Sequence, residues 1–502
     1  MSELLIGIDI GTTSTIGTLI DGEGATLATV SRDTDLISDH PNWAEEEPAQ
    51  WWANACAVIR ELLERAEGPV AAVGVTGMVP ALVLLDADGR VLRRSMQQND
   101  ARAVAEIAAM AEQADEELFF RMTGGGINQQ LVGPKLRWLE THEPEVYARI
   151  ATIFGSYDYI AFRLTGRPSV ERNWALESGL YDLEARSFSP HLLELAHARA
   201  GWLPPIRDAH EVIGGVSAAA AAETGLPEGT PVVAGCADHV ASAFVAGVVE
   251  DGDLLVKFGG AGDILLATST LKPDRRLFVD HHITPGLWLT NGCMAASGSV
   301  LKWIAREFGR GTLTFRELDA LADATPPGAD GLVLLPYFLG EKTPLHDPHA
   351  RGTLVGLGLH HGLGHVWRAA LEGVVYGFRH HLAVFAEMGL EVKRVVSSNG
   401  GSQSATWLQI AADCLGHEIT HIARHPGSCL GAAYVAGVGA GVFRSYGEVS
   451  RYVEPGRTFI PRPEHAAVYD HGFGRFRETY ERLKPMYPRL VARSGDADGA
   501  GA

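Results

Sequence analysis

The chain has 502 residues, 46% of them hydrophobic and 21% charged, which excludes a mini-protein, a collagen-like or coiled-coil chain and a mostly disordered one, and leaves room for two large domains or about three ordinary ones. Lysine and arginine total 42 against 61 aspartates and glutamates, a net charge of −19. A surface of that sign repels nucleic-acid backbones and anionic lipid, and no basic patch offsets it, so neither partner is expected and an anionic ligand must be held by backbone amides or a metal.

Residues 4–9 and 15–21 are β-rich and joined by the turn Gly11-Thr12-Thr13-Ser14, which predicts a hairpin; Asp21-Gly22-Glu23-Gly24 turns the chain into a third strand over 25–31. Apolar residues recur at helical spacing over 48–66, and strands follow at 70–75 and 82–85. Residues 231–238 read as a strand running into Asp238, and an apolar helix over 240–249 ends in Glu250-Asp251-Gly252. The domain boundary falls there, giving a first domain over 1–249 and a second over 250–492. The second opens as the first does, with a β-run at 253–258, the turn Gly259-Gly260-Ala261-Gly262 and a β-run at 263–267. A strand at 287–291, helices at 298–308 and 366–388 and a strand at 395–398 come next, and 493–502 reads as a frayed tail. Strands followed by helices in this order indicate an α/β fold. Five scattered cysteines, none in C-x-x-C spacing, read as reduced thiols; without a leader pattern or an apolar run of about 18 residues, the chain is expected in the cytoplasm.

A Gly/Thr turn between strands gathers backbone N–H groups and hydroxyls at one point, which suits phosphate oxygens, with Thr12, Thr13 and Ser14 as added donors; the alternative is a plain hairpin turn. Asp9, just before that turn, is useful beside phosphates only if a divalent cation separates the charges, so it implies Mg²⁺. Recurrence of the pattern in the second half favours a pair of phosphate loops facing a cleft. No Gly-Lys dipeptide, G-x-G-x-x-G after a strand or G-x-S-x-G occurs, which removes the P-loop, Rossmann and hydrolase readings. His417-Glu418-Ile419-Thr420-His421 matches a zinc-protease pattern, but Gly416 looks like a helix stop and Ile419-Thr420 like a strand. The pairs His281-His282, His360-His361 and His380-His381 read as surface or loop histidines. Asp238 at a strand-to-helix junction is either an N-cap or a general base for a substrate hydroxyl.

At this point the residues resemble the FGGY family of carbohydrate kinases, within the sugar kinase, Hsp70 and actin superfamily. The resemblance rests on Gly7-Ile8-Asp9-Ile10-Gly11-Thr12-Thr13-Ser14, Asn99-Asp100-Ala101-Arg102, Pro134 to Leu139, Asp158 to Gly166, Pro336 to Pro344, Asp347 to Gly352, Leu371 to Gly377 and Gly400-Gly401-Ser402-Gln403-Ser404 with Trp407. It implies two ribonuclease-H-like domains flanking a deep cleft, with MgATP held mostly by the second and a sugar or polyol mostly by the first. By position, Asp238 would be the general base, Asp9 would orient Mg²⁺ through water, and Thr12 and Thr13 would touch the transferred phosphoryl. Gly259 and Gly260 would form the second phosphate loop, and Gly400, Gly401, Ser402 and Gln403 would flank the nucleotide.

Substrate is where the sequence departs. Xylulose-phosphorylating members typically read Gly-Gln-Met-His-Gly where this chain reads Gly77-Met78-Val79-Pro80-Ala81, and the tryptophan of Trp-Asn-Asp-x-Arg is Gln98. Met78, Val79 and Pro80 are expected to line the sugar site, with Gln98, Asp100 and Arg102 bonding hydroxyls; Trp174 is expected either to stack on a sugar face or to pack beneath a loop. Trp303 and Trp407 read as core. The expectation is an ATP-dependent kinase for a primary hydroxyl of a pentulose or related polyol, with another ketose, erythritol or glycerol as alternatives. A nucleotide-dependent binding protein of the same superfamily is the competing class, and a homodimer is left open.

Overall fold

The computed structural model describes residues 3–309 and 311–491, so the expected tail at 493–502 lies outside the described residues. Three β-rich runs meander antiparallel as β1 (Leu4–Ile10), β2 (Ser14–Asp21) and β3 (Thr26–Asp33). The helix α1 (Pro48–Leu63), with proline in its first turn, crosses back to deliver β4 (Val70–Gly77) parallel to β1. The sheet is completed by β5 (Val212–Gly215) and β6 (Pro231–Val233) in the order β5-β6-β4-β1-β2-β3, with β7 (Cys236–Ala237) also paired to β4.

The second half builds the same object. It comprises β8 (Asp253–Phe258), β9 (Gly262–Thr268), β10 (Phe278–His281), β11 (Trp288–Met294), β12 (Arg394–Ser398), β13 (Ile419–Arg424) and β14 (Glu454–Phe459). They lie in the order β10-β11-β9-β8-β12-β13-β14. Three antiparallel strands in the first sheet (β1, β2, β3) and four in the second (β8, β9, β11, β10) are each extended by two parallel ones, β4 and β6 in one, β12 and β13 in the other. The duplicated hairpins of the sequence are therefore the cores of two lobes.

Strand alternation decides how the lobes join. On β8, Leu254 and Val256 point into the core of the second lobe, while Leu255, with Leu265, Ala267, Val396 and Ile422 of neighbouring strands, joins the core of the first. Between the sheets lie α3 (Asp238–Val245), reached after the short α2 (Arg172–Glu177), and, beyond α4 (Gly298–Glu307), α5 (Leu363–Glu387) and α6 (Ala405–Leu415), the helix α7 (Ser428–Gly439). By sequence α7 falls in the second half, yet Leu430, Ala433, Val435 and Ala436 belong to the core of the first lobe. The approach is close enough to dictate residue type: a Cβ on Gly7 would sit 1.9 Å from the Cys429 carbonyl oxygen, and one on Gly74 2.1 Å from that of Ala432. Across the seam, Asn173 of α2 bonds both backbone groups of His281, accepting its N–H at 2.7 Å and donating to its carbonyl at 2.9 Å.

Some expectations change. The strand before Asp238 breaks at Gly235, whose φ of 89° turns the chain where a Cβ would meet the Val75 carbonyl, and α3 ends at Val245, before the expected residue 249. Trp303 is 37% exposed, edge-on to Phe308 and Phe338, rather than core, whereas Trp407 is buried and donates to the Leu371 carbonyl. His282 and His381 are buried, not surface; the His381 ring is wedged between the Thr343 hydroxyl and the Gly377 carbonyl on α5. Gly416, with φ 72°, does end α6, and Ile419 onward is a strand, so the His417 and His421 pattern forms no zinc helix. All five cysteines are free. Among the described residues no helix is long and apolar enough to cross a membrane.

Candidate active site

Register brings the two aspartates of the sequence reading together. Both Asp9 and Cys236 pair with Thr76, and Ile10 and Ala237 both pair with Gly77, so β1 and β7 end level on either side of β4. The Thr76 hydroxyl donates to the Cys236 carbonyl at 2.7 Å and fixes that level. Asp238 is the next residue, the first of α3, and its carboxylate emerges at the carboxyl ends of the parallel strands, the side on which open α/β sheets bind ligands. The N-cap of α3 is Ala237 and no side chain caps the helix, so Asp238 is not spent as a cap. Its side chain is 40% exposed, with the His239 ring 3.6 Å away.

Asp9 is held in an unusual state. Burial, and then the nearby charge of Asp238, push its carboxyl up to about 7, opposed by a hydrogen bond donated by the Ser428 hydroxyl to Oδ2; Oδ1 is buried and has no partner. From the second lobe, Lys257 on β8 lies 3.2 Å from Asp263, and although burial pulls its ammonium down, Asp263 and Asp238 outweigh that and hold it above its usual range. His239 bonds Asp280 of β10 at 3.0 Å and stands 3.9 Å from Glu177. Five carboxylates thus converge on two cations, an excess suited to a divalent cation, with the unpartnered oxygen of Asp9 the natural ligand side.

Loops close this crevice from both lobes. Thr12 and Ser14 are half-buried and Thr13 exposed at the end of β1, and the Thr12 hydroxyl rests 3.7 Å from the Met78 sulfur. In the second lobe Gly259 and Gly260 offer their carbonyls to Gly298, Ser297 and Ser299, which seats the start of α4 on the turn; a Cβ on Gly298 would lie 2.7 Å from Gly259 O. Lys257 pairs with Ser398, so the turn at 400–403 emerges beside this loop. There Gly400 is exposed with open space around it, Gly401 has no room for a Cβ against Trp407 and Phe258, the Ser402 hydroxyl donates to Asn399 O, and Gln403 is exposed.

The expected sugar-site residues fare unevenly. Met78, Val79 and Pro80 are buried directly after β4, beside Asp9 and Asp238 in register, with the Ser156 hydroxyl bonding Met78 O. Gln98 is half-buried and accepts from Gln130. Asp100 and Arg102 are largely consumed by the protein itself: the guanidinium bonds both Asp100 oxygens and Glu45 and lies 3.6 Å over the Trp43 ring, while Asp100 also accepts the Ala44 N–H. Only Nη1 of Arg102 lacks a partner. Trp174 is fully buried beneath the loop and donates to Ala81 O. Sequence reasoning missed Ser428, Lys257, Asp263, Glu177, His239 and Asp280. One signal was present, the charge of Lys257 inside the apolar run LLVKF; Ser428 and Asp280 reach the site only through the fold.

A duplicated sheet with a phosphate-type loop on each copy, and paired carboxylates where the copies meet, defines a phosphotransferase of the actin-like ATPase architecture that acts on an alcohol. The chain belongs to the FGGY family of carbohydrate kinases: residues 4–245 match its N-terminal domain and 257–440 its C-terminal domain. It is 30% identical to the xylulose kinase of Bacillus subtilis (strain 168) over 97% of this chain and 98% of that one. It is 27% identical to the L-xylulose/3-keto-L-gulonate kinase of Escherichia coli (strain K12), covering 98% and 99%. The crystal structure of xylulose kinase from Rhodospirillum rubrum superimposes with a TM-score of 0.93 at 48% identity, over 97% of this chain and all of that one.

Proposed function

We propose that the chain transfers the γ-phosphoryl group of MgATP to the primary hydroxyl of xylulose, with Asp238 as general base, in a cytoplasm that supplies both ATP and the free pentulose. The observation that carries this reading is the meeting of Asp238 with Asp9 at the carboxyl ends of β7 and β1, in a family whose similar members are named xylulose kinases. The lobes correspond to 1–249 and 250–492, with α7 crossing to brace the first.

Phosphoryl transfer needs placement and charge neutralisation more than covalent chemistry. Asp238 accepts the hydroxyl proton as the sugar oxygen bonds phosphorus and the bond to the ADP oxygen breaks. Thr12 and Thr13 on one side and Gly259 and Gly260 on the other hold the phosphates, while Gly400, Gly401, Ser402 and Gln403 border the nucleoside. Asp9, with its free oxygen, would hold Mg²⁺ through water; bound there, the cation would neutralise phosphate charge that the surrounding carboxylates otherwise repel. Met78, Val79 and Pro80 wall the acceptor, with Gln98 the polar side chain left to reach a hydroxyl. Coupled ADP release measured with D- and L-xylulose, ribulose, hexuloses, erythritol and glycerol tests the reading. Xylulose is expected to give the highest kcat/KM, and a polyol or hexulose exceeding it would reassign the substrate.

A further inference from the structure

We propose that His239 is the positioning residue of the base: a fixed imidazolium that keeps Asp238 ionised and aimed, tied across the lobe seam to Asp280. The inference rests on the kinase reading above, since a base is what His239 would position. Asp238, Asp9, Glu177 and Asp280 crowd one small region, where burial first, and then neighbouring acid charge, pushes the carboxyls of Asp9 and Glu177 up. A protonated Asp238 takes no proton. His239 is the cation inserted among them, with Nδ1 3.6 Å from Asp238 Oδ1 and Nε2 3.0 Å from Asp280 Oδ2 and 3.9 Å from Glu177 Oε1. Nε2 is hydrogen-bonded to Asp280, and Nδ1 lies within charge-pairing range of Asp238. Burial opposes that charge, yet Asp280, Asp238 and Glu177 hold the ring well above its ordinary range.

The ring is also locked. Asp280 is nearly buried and accepts from Asn291 Nδ2 at 2.5 Å, and the next residue, His281, is clamped by Asn173 through both backbone groups. His239 therefore links α3 of the first lobe to β10 of the second, and the side chain beside the base inherits its orientation from the joined lobes. During transfer the hydroxyl proton passes to Asp238, the sugar oxygen to phosphorus and the bonding pair to ADP; His239 keeps both protons throughout, and Asp238, 40% exposed, returns its proton to water.

The test compares the parent enzyme with Asp238→Asn, His239→Gln, Asp280→Asn and the double variant His239→Gln/Asp280→Asn, using coupled ADP release with xylulose and thermal melts as the check on folding. His239→Gln is expected to lower kcat by at least about 10-fold with KM for ATP within about 3-fold, and to move the acid limb of kcat/KM about one pH unit upward. Asp280→Asn keeps the shape and moves both quantities the same way by less, and the double variant is no worse than His239→Gln alone. A His239→Gln enzyme with kcat within two-fold and an unmoved acid limb overturns the proposal, as does a fall in kcat with the limb in place. If His239→Gln does not fold, an Asp280→Asn enzyme with parental kcat and acid limb overturns it equally. Turnover retained by Asp238→Asn would instead remove the base assignment itself, a different failure.

Discussion

The two lobes share strand order but not chemistry, and register shows where they part. The first hairpin ends with Asp9 opposite Ile16 and Ile10 opposite Thr15, the second with Lys257 opposite Asp263 and Phe258 opposite Gly262, so Asp9 and Lys257 occupy the same next-to-last position before their turns. Likewise Asp238 and Ser428 are each the first residue of the helix that follows the last parallel strand. At these matched positions the first lobe contributes two carboxylates, the second an ammonium and a hydroxyl, and the groups are coupled across the lobes: Ser428 bonds Asp9, and Asp238 helps draw Lys257 up. Duplication supplies the scaffold, and divergence at two positions makes the lobes interdependent. Neither lobe alone holds a balanced site.

Three substitutions break this pairing, in falling order of effect. Asp238→Asn removes the group that receives the proton, and turnover is expected to fall by about 10³-fold while ATP affinity, measured by calorimetry, stays within a few fold; residual activity within 10-fold of the parent would contradict its role. Lys257→Met keeps the stem but removes the cation that pairs with Asp263 and is drawn up by Asp238. Steady-state rates are expected to drop by about 10–100-fold, with Lys257→Arg recovering part of the loss; an unaffected rate would make Lys257 a partner of Asp263 only. Ser428→Ala takes one hydrogen bond from Asp9, for an expected loss of about 3–10-fold in kcat and a higher Mg²⁺ requirement, read from titrations of rate against Mg²⁺.

Much of this was legible in the sequence because it is local. The hairpins, the Gly/Thr and Gly-rich turns and the strand into Asp238 are periodicity and turn chemistry, and each lies within a few residues of its expected place. What was not legible depends on register and on contacts between distant segments. Asp280 follows Asp238 by 42 positions and meets it only through His239, and Ser428 reaches Asp9 across 419 positions because α7 crosses to the first lobe. The surroundings of Trp174 and Arg102 likewise come from the fold. An aromatic or a guanidinium among sugar-site motifs invites a binding role, but the first bonds Ala81 O in the core and the second satisfies Asp100 and Glu45. Several family segments turn out to brace the fold, as Arg368 does with Glu372 on α5 and Tyr480 with Asp347.

Glu341, in one of those segments, sharpens the contrast between the lobes because it is a buried acid of the second lobe set to bracing work. Its carboxyl accepts the N–H groups of Ala295 and Lys342 at 2.7 and 2.9 Å, pinning the end of β11 to the following loop. Burial pushes it up to about 8 from an ordinary 4.5, against those two hydrogen bonds and the charge of Lys342. Between about 4.5 and 8 the folded chain therefore keeps a proton that the unfolded chain releases, and stability contributed by this residue is lost as pH rises through that window. Glu341→Gln retains an acceptor without the ionisation. At pH 5 its melting temperature is expected to match the parent's, and at pH 8.5 to exceed it by on the order of 2 °C, read by calorimetry in the two buffers. A variant equally destabilised at both pH values would mean that Glu341 braces the loop as a carboxylate already, as an ionised partner of Lys342, and the two lobes would then differ less in how they hold buried acids than Asp9 and Glu341 suggest.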